Sequence, residues 1–237
     1  PDVQVTMTPE QGWFHSGQSV TLQVSANEPV GLGADDRVVV IDGETVTLTD
    51  DDNPKPTSLS YTMTIPTLEA HGEVPVSVQL TDLAGNTGTW TDPLQVDATS
   101  PTVHEGLTVE LTGPGALSTP AGAAEGERWL VTEGSQLRVR LRLDVSDSGS
   151  PFAPDASTLT LGGFPLTLST PVDPPEEDVQ TLWWDLIVSE AAQASLEGPE
   201  QGFAGVLVDE AGNTTNLDVA LADLGAPPPV VVFDFTP

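Results

Sequence analysis

Thr81-Asp82-Leu83-Ala84-Gly85-Asn86-Thr87 returns, almost letter for letter, as Val208-Asp209-Glu210-Ala211-Gly212-Asn213-Thr214, 127 residues further along the chain. In each copy an alternating run leads into Asp-x-Ala-Gly-Asn, through Val74, Val76, Val78 and Leu80 in the first and Phe203, Gly205 and Leu207 in the second. A second extended run follows at once. Glycine and asparagine tolerate positive φ, and the aspartate can accept backbone N–H bonds from the turn, so each copy reads as a tight link between antiparallel strands. A hairpin repeated at that distance indicates two domains built alike.

Working outward from the first copy, Val3, Val5 and Met7 alternate within 1–9, and Val20, Leu22 and Val24 alternate with Thr21, Gln23 and Ser25. Asp42-Gly43 between Arg37–Ile41 and Thr45–Thr49 is a short hairpin signal, and Leu59, Tyr61, Met63 and Ile65 alternate again. About seven short strands in a hundred residues predict a β-sandwich with Greek-key connections. Around the second copy, Leu107, Val109 and Leu111 repeat the opening strand. Leu137-Arg138-Val139-Arg140-Leu141-Arg142-Leu143 is the clearest alternation, with three arginines on the face opposite the leucines and valine. Thr158–Leu161, 164–168, 182–188 and Phe203–Val208 complete the set, and Leu217–Leu221 reads as the closing strand.

The domains expected are therefore 1–98, 99–228, and a remainder, 229–237. That remainder has proline at both ends and threonine before the second, as residues 1–9 do. It reads as a linker or the first strand of a further module, in a chain cut from a longer array. Alternatively, it completes a neighbour's sheet, making the protein a filament subunit joined by strand exchange.

The formal charge is −30, from 36 acidic and 6 basic residues, and cysteine is absent. Such a surface repels nucleic acid and anionic membranes, and no run approaches the ~20 apolar residues that span a bilayer. Without cysteine there are no disulfides and no thiolate metal sites. Two uses of the acids stay open: a solvated coat, the usual fate of a charge run, or carboxylates that gather divalent cations.

A strand, Asp-x-Ala-Gly-Asn, a closing strand and then Asp-x-x-x-Pro resembles the tandem bacterial immunoglobulin-like domains of large surface proteins and adhesins, best at 74–103 and 203–230. The fold class expected is all-β, two tandem Ig-like Greek-key β-sandwiches. The resemblance implies an extracellular, cell-surface, non-catalytic structural module, a rigid acidic spacer or surface-layer segment. Its partners would be neighbouring repeats of the same chain or other subunits, or a host or surface ligand. It also implies calcium at module junctions, nominating Asp82 and Asp97 at the first and Asp209 and Asp223 at the second. The second linker, Asp223-Leu224-Gly225-Ala226-Pro227-Pro228-Pro229, departs from the Thr-rich form of the first, and its prolines supply stiffness of their own.

The remaining candidates are plainer. Asp50-Asp51-Asp52-Asn53 has carboxylate density but lacks the glycine and the acidic twelfth residue of an EF-hand loop. His15, His71 and His104 lie in different loops with no HExxH or Gly-x-Ser-x-Gly beside them. Glu176-Glu177-Asp178 and Asp35-Asp36 are adjacent acids in loops, with no other sign of a sugar-cleaving site. Trp183 and Trp184 occupy one strand, so their rings point to opposite faces: one is core, and the other is inter-strand cover or a sugar- or protein-binding anchor. The alternative function is accordingly an adhesive carbohydrate- or protein-binding module.

Overall fold

The structure, a computed structural model, describes residues 1–31, 36–47, 57–67, 71–112, 128–131, 136–144, 149–169, 179–187, 198–225 and 230–233. The acidic runs 50–53 and 176–178, and Asp35, lie outside these. The protein is all-β and divides into two compact units with the boundary between Thr99 and Ser100.

In the first unit, β1 (Val3–Thr8), β3 (Ser19–Ala26) and β6 (Ser58–Thr64) form one antiparallel sheet in the order β1-β3-β6. The other sheet has the order β2-β8-β7-β4-β5: β2 (Trp13–His15), β8 (Thr87–Asp97), β7 (Gly72–Thr81), β4 (Arg37–Ile41) and β5 (Glu44–Thr47). After β3 the chain changes sheet between β3 and β4, between β5 and β6, and again between β6 and β7, as Greek-key connections require. Strand periodicity decides what is buried: Val20, Leu22 and Val24 are fully enclosed, with Phe14, Val39, Val78 and Leu80 from the facing sheet. The outward positions of β3 and β6 are Thr, Ser and Gln, joined by bonds such as Gln23 Nε2 to Ser60 Oγ at 2.9 Å. Asp42 and Gly43 both take positive φ, closing β4 on β5 in a two-residue loop.

The second unit repeats this plan and adds to it. One sheet runs β10 (Thr108–Thr112), β12 (Gln136–Asp144), β16 (Val179–Ile187), β15 (Thr167–Ser169), with β9 (Thr102–Val103) on the end of β12. The facing sheet runs β14 (Phe164–Pro165), β13 (Thr158–Leu161), β18 (Phe203–Val208), β19 (Thr214–Asn216). Leu137, Val139 and Leu141 are completely buried, as their alternation with arginine requires. The predicted strand 164–168 is in fact two: the chain passes from one sheet to the other at the buried Leu166, whose N–H donates to Leu159 O at 2.9 Å.

One expectation is corrected. Leu217–Leu221 is not a closing strand: β19 closes the sheet, and Leu217–Asp223 is a short helix, α1, which buries Leu217 and Leu221 and leaves Val219 58 % exposed. Within the expected remainder 229–237, the described residues form a strand of this unit. Val230–Phe233 is β20, the central strand of a sheet with β11 (Arg128–Val131), parallel to it, and β17 (Gly198–Gln201), antiparallel. Val231 is fully buried in this unit's own core. With both edges paired and that side chain enclosed, β20 is a working strand of this unit.

Candidate functional site

The duplicated turn is built the same way twice. In the first unit Asp82 and Asn86 are the two ends of a backbone loop, with Asp82 N–H donating to Asn86 O at 2.8 Å. Asp82 Oδ1 accepts the backbone N–H groups of Ala84 and Asn86, each at 2.8 Å, and Oδ2 accepts the Asn86 side-chain amide at 2.7 Å. Gly85 supplies the positive φ that lets the chain turn. In the second unit Asp209 Oδ1 accepts Asn213 N–H and Oδ2 the Asn213 amide, both at 2.9 Å, and Gly212 takes the positive φ. Each aspartate is also bridged by a residue of the segment crossing beneath it, Val30 to Asp82 and Phe152 to Asp209. Gly31 N–H donates to Thr81 O at 2.7 Å, and Ala153 N–H to Val208 O at 2.8 Å. Both aspartates are buried, and Asn86, through its side chain first and its backbone next, holds the Asp82 carboxyl below the usual carboxylate range.

The other two carboxylates nominated for calcium are placed differently. Asp97 ends β8 completely buried, and its Oδ1 accepts Thr99 N–H at 2.9 Å and Thr99 Oγ1–H at 2.7 Å. Asp223 ends α1 exposed. Among the described residues no three His, Asp or Glu side chains converge as a cation site requires. His15 lies at the end of β2 with its ring Nδ1 2.9 Å from Ser16 O, whereas His71 and His104 are exposed.

Of the tryptophan pair, Trp184 is 1 % exposed and belongs to the core, so its ring offers nothing to a ligand. Trp183 points outward onto the arginine face of β12, with the Arg138 and Arg140 guanidiniums 5.5 and 5.9 Å from its ring centroid. The half-buried Trp183 thus carries two cations over its ring. Three of the six basic residues of the chain thus share one sheet face, and acids meet them there. Arg138 donates through Nε and Nη2 to Asp185 at 2.8 and 3.1 Å, while Glu105 lies 3.6 Å from both Arg140 and Arg142. Arg140 Nη2 also reaches Thr108 Oγ1 at 3.2 Å. These cross-strand contacts tie β10, β12 and β16 together on their outer face, a role that opposite-charge and cation–aromatic pairs commonly fill. The sequence showed the arginine alternation but not its partners, because β16 lies some forty residues away.

No family model and no curated protein matches the chain. Solved structures to which it is similar include murine CEACAM1b, at 14 % identity and a TM-score of 0.36, covering 91 % of this chain and 96 % of that one. An ICAM-5 D1–D4 ectodomain fragment gives 15 % identity and a TM-score of 0.34, covering 97 % of this chain and 54 % of that one. A Ca2+-stabilized adhesin that helps an Antarctic bacterium reach out and bind ice gives 17 % and 0.37, covering 100 % and 49 %. The chain spans about half the length of the last two.

Proposed function

We propose that this chain is a non-catalytic, extracellular structural module, a stiff acidic spacer in which two β-sandwiches are held by a short restrained joint. The observation that carries this reading is the joint itself. Only four residues, Ala98 to Pro101, separate the end of β8 from the start of β9. Thr99 is fastened back to the buried Asp97 by two hydrogen bonds, and the buried Pro101 accepts a hydrogen bond at its carbonyl from Thr215 Oγ1. Ser100 is the one residue between these anchors, which leaves the backbone few soft dihedrals.

The turn aspartates serve that role as fasteners. Their oxygens are already committed to backbone and amide donors, so in this reading Asp82 and Asp209 set the hairpins rather than collect calcium. The acids elsewhere keep the chain hydrated, and their mutual repulsion is screened by salt. Small-angle scattering between low and high salt tests the reading. A stiff joint keeps one maximum dimension as salt rises; compaction on screening contradicts it.

A further inference from the structure

We propose that a cleft on the second unit, beside the point where the chain crosses from one sheet to the other, binds a neutral saccharide. The proposal is independent of the spacer reading. The cleft is about 410 Å³ and is lined by Gln136, Phe164, Pro165, Thr167, Asp185 and Ile187, a volume within the range of small-molecule sites. It exists because β14 and β15, one residue apart in sequence, belong to opposite sheets: Pro165 pairs with Thr160 of β13, whereas Thr167 pairs with Asp185 of β16.

The lining has two kinds of surface. Phe164, Pro165 and Ile187 give an apolar wall, and Ile187 is 69 % exposed, the most exposed of the large apolar side chains described. Opposite in character are a carboxylate, an amide and a hydroxyl, from Asp185, Gln136 and Thr167. Asp185 is fixed in place: Arg138 donates to it twice and Ser169 Oγ–H once. A carboxylate offers about four acceptor directions, so one is left for a ligand donor. A sugar ring matches this mixture, with C–H faces for the apolar wall and hydroxyls that donate to Asp185 and Thr167 and accept from the Gln136 amide.

Charge selects among sugars. Arg138 neutralises Asp185, so the cleft does not draw a cation, and an anionic glycan meets a chain of −30. A neutral saccharide incurs neither cost.

The test is a 1H–15N shift titration of the whole chain with cellotetraose, xylotetraose and mannotetraose, and with tetragalacturonate as the anionic control. At least one neutral probe should move the amides of Gln136, Thr167 and Ile187 with a Kd of about 1 mM or tighter. Gln136→Ala combined with Thr167→Ala should weaken that binding about tenfold or more with the melting temperature unchanged. The proposal is overturned if no neutral probe moves these amides at about 10 mM, if tetragalacturonate binds as tightly, or if the double variant binds as the parent does.

Discussion

Asn86 grips Asp82 at both carboxylate oxygens, its backbone N–H on Oδ1 at 2.8 Å and its side-chain amide on Oδ2 at 2.7 Å. Asn213 and Asp209 repeat the grip at 2.9 Å. A carboxylate with two acceptor oxygens is needed to hold both donors, which asparagine cannot supply. Asp209→Asn turns one oxygen into an N–H2 group facing the Asn213 amide. Asp209 is 3 % exposed, so the change should cost about 1–3 kcal/mol, read as a shift in the urea midpoint at constant m. Asp209→Asn with Asn213→Asp, which restores a donor–acceptor pair, should recover part of the loss.

The same geometry fixes a pH dependence. Asn86 lowers the Asp82 pKa in the folded state. The stability this confers is fully present above the unfolded-state value of about 3.9 and is lost as pH falls through the depressed folded value. The stability difference between the parent and Asp82→Asn should therefore be flat from neutral pH to about pH 5 and shrink below about pH 4. Taking the difference cancels the general relief of repulsion that the other acids feel on protonation. Chemical denaturation at a series of pH values measures it; a difference that grows on acidification would show that the carboxylate is not stabilised by these donors.

The two tryptophans separate core from cover. Trp184→Ala removes a core side chain and should cost about 3–5 kcal/mol. Trp183→Ala loses the two guanidinium contacts on the outer face and should cost about 1 kcal/mol. Equal costs would mean that the strand's inward and outward faces have been assigned wrongly.

The last strand gives a sharper contrast. Val231→Ala empties a fully buried position and should cost about 2 kcal/mol. Deleting 229–237 removes the centre of the β11-β20-β17 sheet and should leave the second unit with a lowered or absent melting transition, while the first unit melts as before. Calorimetry resolves the two transitions. A truncated chain that melts like the parent would revive these residues as a spare strand.

What the sequence revealed, it revealed through local chemistry. Asp-x-Ala-Gly-Asn names its turn because Gly85 and Gly212 need positive φ, and because Asp82 bonds to the residues two and four along and Asp209 to the residue four along. Leu137 to Leu143 names its faces because the strand period is two. Alternation misled at α1, where Leu217, Val219 and Leu221 fit a strand. The helix buries positions 217 and 221, four apart, and leaves Val219 in solvent, so period 3.6 was the right reading of seven letters that satisfy both. The partners of β20 were not legible, since its neighbours precede it by some thirty and a hundred residues and no local signal pairs them. Nor was the cleft, which depends on a change of sheet at Leu166 that no motif marks.

The spacer role rests on the stiffness of the joint, which pulsed dipolar spectroscopy reads as a distance distribution. The chain has no cysteine, so Thr64→Cys and Ala204→Cys place one spin label on an exposed position of each unit. A stiff joint gives a single narrow distance distribution, the same with calcium and with EDTA, that broadens when Thr99→Ala and Thr215→Val release the two anchors. A broad distribution in the parent, or one that narrows only with calcium, would contradict it.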